Sequence, residues 1–348
     1  MTTRQPNFIR HAWRSPLITA ALSVVLYGSG LSAHAADATS ANAKPVPLAA
    51  VDALNKLSGG PHAGYRANHA KGVLVMGSFT PAEGAASLSK AAHFAMGQTV
   101  PVLVRFSNGT GVPTLPDANP NGSPHGIAIR FALPQGVNTD IVSISSNGFP
   151  VATPEEFVAL LEAIGQSGPA ATKPTAIEQF MGSHPIALKW ATTPRPPPVS
   201  FGTLAFYGVN AFKFTNAKGQ SQFVRYQILP VAGESSLSDA EAAKAAPNYL
   251  MDELPARIAA GPVKFRLLAQ VAEAGDSIND GSVVWPQERK LVELGTISLT
   301  KTAVDQAKEQ KVLMFNPLAL VAGIEPSADP VLLIRPAAYG VSFAQRAQ

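Results

Sequence analysis

Short runs of alternating apolar and polar residues, separated by turn-forming pairs, recur through most of this chain and leave few folds open to it. His125 to Phe131 is the clearest: Ile127, Ile129 and Phe131 fall on one side, Ala128 and Arg130 on the other. That is the two-residue period of a strand with one buried face. Val73 to Phe79, Val100 to Ser107 and Asp140 to Ser146 read as its companions, with turns at Asn108-Gly109, Pro120-Asn121-Gly122 and Gly136-Val137-Asn138. Thr203 to Phe214 and Gln222 to Val231, joined through Asn216 and Gly219, read as two more strands, as do Val263 to Val271 and Leu291 to Leu299. Helices interrupt the series. Val51 to Leu57 is stopped by Gly59-Gly60, and Thr153 caps a stretch with Glu155 and Glu156 in its first turn and Phe157, Leu160, Leu161 and Ile164 at helical spacing. Tyr249 to Ala259 reads as a helix, and a last one is expected after Pro336, running to about Arg346. Pro194 to Pro198 is a stiff extended connection, and no internal repeat is visible. Many short strands with tight turns and helical insertions predict an α+β fold, a closed antiparallel β-barrel with surrounding helices.

Residues 1–36 read as a signal peptide. Arg4, Arg10 and Arg14 precede an apolar run from Leu17 to Tyr27, and Ala33-His34-Ala35 supplies a small-x-small cleavage signal. The apolar run falls short of the roughly 20 residues that span a bilayer, so the expectation is export to the periplasm with no stable membrane span after cleavage. Residues 37–348 then form one domain behind a loose arm rich in Ala, Ser and Asn. Three of the 27 basic residues lie in the leader, leaving 24 against 23 acidic ones. With no basic stripe interleaved with aromatics, nucleic acid is not an expected partner. The chain has no cysteine, which excludes disulfides, thiolate haem ligation, iron–sulfur clusters, cysteine-based zinc sites and thiol-dependent peroxidase chemistry.

Of the seven histidines, five lie beyond the leader: His62, His69, His93, His125 and His184. No pair has the HExxH spacing or another metal-binding spacing. Each alone is more often structural than catalytic, and local context lifts only His69. It stands in Arg66-Ala67-Asn68-His69-Ala70-Lys71-Gly72, followed by Gly77 and Phe79. This segment resembles the R-x-x-H-A-K-G segment of catalases, and the likeness continues in order. Val102 to Ser107 is similar to V-x-V-R-F-S, His125 to Phe131 to R-G-x-A-x-K-F, Asp140-Ile141-Val142 to D-L-V, and Val209 to Phe214 to V-N-T-F-K. Gly275-Asp276 through Trp285-Pro286 resembles the G-D…W-P stretch, and Phe315-Asn316-Pro317, Gly323-Ile324 and Ser327 to Pro330 lead into Arg335-Pro336-Ala337-Ala338-Tyr339, similar to the family's R-x-x-x-Y. The resemblance spans residues 60–346, almost the whole chain beyond the leader.

The resemblance implies a haem enzyme, with haem b as cofactor and Tyr339 as ligand to its iron. Arg335, four residues earlier on the same helix face, would favour the tyrosinate. On the opposite face His69 would act as general base and then acid, with Ser107 holding its tautomer. Arg66, Arg105 and Arg346 would pair with the haem propionates through their forked guanidiniums. Larger catalases also place an asparagine in the distal pocket after the D-L-V stretch. Here counting from Asp140 points to Ser145, and counting back from Pro150 points to Asn147. The sequence ends about ten residues after Tyr339, where larger catalases continue, which predicts a more open haem edge. The expected activity is reduction of hydrogen peroxide, and of organic peroxides as an extension, by a small organic reductant, with weak catalase activity besides. The protein is expected as a monomer or small homo-oligomer. A haem carrier without turnover, or an enzyme rearranging fatty-acid hydroperoxides, remains as an alternative.

Overall fold

The structure is a computed structural model and describes residues 44–347; the signal-peptide reading lies outside them. Strands β1 (Gly72–Pro81), β2 (Val100–Ser107), β3 (Gly126–Ala132) and β4 (Asn138–Ile144) form an antiparallel meander. β5 (Phe206–Tyr207) pairs with the end of β4, and both β5 and β6 (Phe212–Thr215) pair with β7 (Ser221–Pro230). β8 (Val263–Val271) lies between β7 and β9 (Leu291–Thr302), and β9 returns to β1. The ring β1-β2-β3-β4-β5-β7-β8-β9 is therefore closed, an eight-stranded antiparallel barrel with no free edge. β10 (Ile324–Pro326) extends β6 beyond the ring.

Alternation along the strands separates two environments. In β2, Val100, Val102, Val104 and Phe106 turn into the barrel, where they meet Ile127, Ile129 and Phe131 of β3 and a set of phenylalanines that includes Phe79, Phe206 and Phe265. Leu103, Arg105 and Ser107 lie on the other face, yet Arg105 and Ser107 are also buried. The outer face of β2–β4 is covered, and that cover holds the site.

The cover is helical. In chain order the helices are α1 (Val46–Ser58), α2 (Ala85–Leu88), α3 (Pro154–Gln166), α4 (Ala176–Ser183), α5 (Pro185–Thr192), α6 (Asp239–Ala242), α7 (Tyr249–Ala260), α8 (Gln306–Val312) and α9 (Pro330–Ala347). α1 packs on both α3 and α9. α1 ends where Gly59 takes φ 69°, the left-handed turn that glycine adopts without a Cβ clash. α3 opens on a reciprocal capping box: Thr153 Oγ1 accepts from the Glu156 N–H at 3.2 Å, and the Glu156 carboxylate accepts from the Thr153 N–H at 3.2 Å.

Two sequence expectations need correction. Thr203 to Phe214 is not one strand: a single 3-10 turn at Phe201–Thr203 precedes β5, and Gly208 to Ala211 interrupt the pairing before β6. The break lets Asn210 turn its amide to Asp329 and Arg335, a long-range demand invisible in local periodicity. The last helix starts at Pro330, not after Pro336. Asp329 Oδ1 accepts from the N–H groups of Val331 (2.8 Å) and Leu332 (3.3 Å), which caps the first turn. Pro336 removes one intrahelical donor but has the φ of a helix, and the buried Val331 and Leu332 anchor the turn before it.

Candidate active site

A cavity of about 280 Å³ lies between the outer face of β2–β4 and the helices α1, α3 and α9. The barrel side carries His69. Its backbone sits at φ 54°, a conformation that costs a non-glycine residue about 1–3 kcal/mol unless its surroundings enforce it. They do. The Ala70 N–H donates to Thr110 O at 2.9 Å, Arg105 Nη2 donates to Ala70 O at 3.0 Å, and the Ala67 N–H donates to Ser342 Oγ of α9 at 3.0 Å. The imidazole then lies close against Gly126, where a Cβ would stand 2.8 Å from His69 Nδ1 and 2.9 Å from Ser107 Oγ. Glycine is needed there because the ring and the hydroxyl occupy the space of a side chain. His69 Nδ1 and Ser107 Oγ are 3.1 Å apart. When Nδ1–H donates to Ser107, Nε2 keeps its lone pair and is a base. Burial, followed by the charges of Arg105, His125, Arg335 and Arg66, pushes His69 down to about 3. The ring is therefore neutral, and able to accept a proton, across the whole ordinary pH range.

The helix side carries Tyr339. One turn earlier, Arg335 aims Nε and Nη2 at the phenol oxygen, at 3.1 and 2.9 Å. Arg335 Nη1 donates to Asn210 Oδ1 at 2.8 Å, and Asn210 Nδ2 donates to Asp329 Oδ2 at 2.7 Å. The chain Asp329–Asn210–Arg335 fixes the guanidinium, which places two charged donors on one phenol oxygen. Among the described residues no group of three His, Asp or Glu side chains could hold a metal ion. A metal at Tyr339 has to bring its other ligands with it, as the iron of a macrocycle does.

Arg66, Arg105 and Arg346 also line the cavity. Arg66 Nη2 and Arg346 Nη2 donate to the Leu313 carbonyl, at 2.8 and 3.0 Å, and Arg105 Nε donates to Gln310 Oε1 at 2.7 Å. No carboxylate pairs with any of the three among the described residues. Arg346 Nε, fully buried, has no partner. Burial and then mutual repulsion push Arg66 down to about 7 and Arg105 to about 9, and burial lowers Arg346. Two buried guanidiniums and one half-buried, held by carbonyls and an amide, suit a ligand with carboxylates of its own. The other walls are apolar, with Val51 and Leu54 from α1, Phe157 from α3 and Ile334 and Ala338 from α9. A flat apolar ring system with carboxylate arms and a central iron fits these donors, so the residues present fit a haem.

The charge imbalance has a measurable consequence. Arg66→Gln is expected to raise the stability of the haem-free chain by about 1 kcal/mol, because it removes one half-buried charge that no carboxylate pairs, and to weaken haem binding. Thermal melts of the haem-free chain, paired with haem titrations, check this. A lower Tm without haem would contradict the electrostatic account.

The structure brings His69, Ser107, Arg66, Arg105, Arg335, Tyr339 and Arg346 to one cavity. Asn147 and Ser145 do not line it; Val142, Ser143 and Ile144 do. β4 ends at Ile144 because Ser145 turns to His125: its N–H donates to His125 O at 2.8 Å and its Oγ accepts from the His125 N–H at 2.9 Å. Sequence reasoning gave no role to Asn210, Asp329, Gln310 or Ser342. Asp329-Pro330 carried a signal, since Asp followed by Pro is a helix start, and Asn210 stands in the segment similar to V-N-T-F-K; Gln310 and Ser342 had none.

A base on the barrel face and an arginine-supported tyrosine on the helix face, with carboxylate receptors beside them, are the groups that a redox protein would need to hold an iron macrocycle against the outside of a β-barrel. The comparisons narrow it. The profile described as Catalase matches residues 55–347, and the chain belongs to the catalase family. It is 38% identical over 303 residues to the "Catalase-related peroxidase" of Mycolicibacterium paratuberculosis, covering 86% of this chain and 94% of that protein. It is 33% identical over 291 residues to the protein of the same name from Synechococcus elongatus, covering 82% and 85%. The catalase of Vibrio vulnificus is 29% identical over 79% of this chain and 56% of its own length. The crystal structure of a fungal catalase superposes with a TM-score of 0.73 at 24% identity over 82% of this chain, and the chain spans 60% of that catalase's length; this likeness shows the fold alone.

Proposed function

We propose that this oxidoreductase of the catalase family is a haem b peroxidase that reduces hydrogen peroxide with a small organic electron donor. The observation that carries the reading is the opposition of His69, set on Ser107, to Tyr339, set on Arg335, across one cavity. Tyr339 would ligate the iron, Arg66, Arg105 and Arg346 would hold the propionates, and the apolar side chains would flank the ring. When bound, the haem supplies the redox centre at which peroxide is reduced. His69 does the proton work: Nε2 takes the proton from the peroxide oxygen nearer the tyrosine side and delivers it to the departing oxygen, which leaves as water. Ser107 keeps Nδ1 engaged so that Nε2 is the nitrogen that exchanges. A carrier has no use for a neutral base held in a strained backbone conformation, which weighs against transport without turnover.

The relatives matched over most of their own length are named catalase-related peroxidases, which supports donor oxidation over dismutation, with weak catalase activity besides. Residues 1–36 support export, and the proposed compartment is the periplasm. N-terminal sequencing of the periplasmic fraction checks this, and a mature chain retaining Met1 would contradict it.

The test of the whole reading is the absorbance spectrum of the haem-reconstituted protein, followed by peroxide with and without an aromatic donor. A ferric tyrosinate spectrum with donor oxidation supports it. Oxygen release without a donor would make the protein a catalase, and failure to bind haem would overturn the proposal.

A further inference from the structure

The groups that hold the three guanidiniums of the cavity come largely from one short segment, residues 306–313. Two glutamines tie its helix to β1. The ladder between β1 and β9 ends at Val75 and Thr302, and α8 takes over where it stops. Gln306 Nε2 donates to Leu74 O at 2.7 Å, and Gln306 Oε1 accepts from the Leu74 N–H at 2.8 Å. Gln310 Nε2 donates to Gly72 O at 3.1 Å and to Gln306 Oε1 at 2.9 Å. Residues four apart share a helix face, so both amides reach the strand. Further along, Leu313 O accepts from Nη2 of Arg66 and of Arg346.

With its nitrogen held by the strand, Gln310 turns its oxygen to Arg105, accepting from Nε at 2.7 Å. Arg105 is 4% exposed, and its Nη2 donates to Ala70 O at 3.0 Å. The guanidinium lies so close over Gly72 that a Cβ there would stand 2.6 Å from Nη2. Among the described residues no hydrogen bond takes up Nη1. Arg105 lines the cavity and Gln310 does not, so the amide acts on the site only through the guanidinium. A carboxylate in its place would bind Nε at least as well, but it would also cancel the charge. The chain does carry a carboxylate next door, and it is turned away: Glu309 Oε1 accepts from the Asp305 N–H at 3.4 Å, at the start of α8.

We propose that Gln310 is a positioning residue for the carboxylate receptor: from outside the cavity its amide fixes Arg105, and because it is neutral it leaves that charge to a carboxylate of the ligand. The inference rests on the reading of Arg105 as a holder of a haem propionate. An oriented guanidinium binds a carboxylate in a defined direction. An internal ion pair at Nε would compete with that contact, since a buried cation already paired gains little from a second anion.

The experiment titrates the full haem-free chain with haem, and separately with the iron porphyrin whose two propionates are methyl esters, followed by absorbance. Gln310→Met keeps an unbranched side chain of similar length without the amide, and its haem affinity is expected to fall about tenfold. In Gln310→Glu the fall is expected to reach about a hundredfold, because a carboxylate then neutralises Arg105. The ester has no carboxylate to offer Arg105, so it should bind both variants within about threefold of the unaltered chain. A packing defect would weaken both porphyrins alike, and such a parallel loss would overturn the proposal, as would unchanged haem affinity in Gln310→Glu. If Gln310→Glu does not fold, the contrast between haem and ester in Gln310→Met decides alone. An unaltered chain that bound haem but oxidised no donor would sink the peroxidase reading and leave this assignment, read from the titrations, standing.

Discussion

His69→Asn is expected to consume peroxide about a thousandfold more slowly than the unaltered protein, close to 4 kcal/mol of barrier, while still binding haem. Asparagine is the informative replacement because the position is held at φ 54°. Asparagine tolerates the left-handed region better than alanine or glutamine, so the loop from Arg66 to Lys71 keeps its ties to Thr110, Arg105 and Ser342. The side chain fits the gap over Gly126 and keeps a polar atom near Ser107. What it lacks is a nitrogen that can take a proton, and a carboxamide does not substitute for an imidazole in that role. The haem-binding groups are elsewhere, on α9 and in the arginine cluster, so the spectrum should change little. Stopped-flow rates and the haem spectrum check the two halves separately. A rate within tenfold of the unaltered protein would show that the distal proton transfer is carried by another group.

The strands were legible in the sequence because each has one face in the barrel, and burial on one face writes a two-residue period. β2, β8 and most of β3 fall where the alternation placed them. The outer face of β2–β4 was less legible, since it is buried too but under helices from distant parts of the chain, so Arg105 and Ser107 look like exposed residues of an ordinary half-buried strand. Family resemblance, not periodicity, singled them out. The break at Gly208 to Ala211 could not be read locally, because its cause is the bond from Asn210 to Arg335, 125 residues away. The start of α9 was missed because Pro336 was taken as the boundary, when Asp329 and Pro330 make the stronger one. The choice between Ser145 and Asn147 turned on where β4 ends, and that is set by the pairing of Ser145 with His125 across the strand end. The positions of the arginines were visible in the sequence. That no carboxylate reaches Arg66, Arg105 or Arg346, the feature that makes them a receptor for an acidic ligand, is a property of the fold.

The largest effect on cofactor retention is expected from Tyr339→Phe, with haem affinity falling at least about 100-fold, or roughly 3 kcal/mol. The substitution keeps the ring and its packing on α9 but removes the one oxygen to which Arg335 donates twice. Two consequences add. An iron bound there would lose the protein ligand proposed for it. Arg335 also remains in place, because Asn210 and Asp329 still hold Nη1, so a guanidinium with two unmatched donors now faces the position of the metal. A cation there, no longer covered by the phenol oxygen, would repel a ferric iron. The arginine cluster and the apolar walls are untouched, so residual binding should survive through the carboxylate arms, with an iron spectrum that no longer carries the tyrosinate signature. The haem-free chain should lose only about 1 kcal/mol of stability, the cost of a half-buried hydrogen bond left half made. Titration with haem, followed by absorbance, separates these outcomes. An unchanged spectrum at unchanged affinity would mean that Tyr339 is not the ligand. Combined with His69→Asn, the result also locates function on the two faces independently: loss of turnover with haem retained from the barrel side, and loss of haem from the helix side.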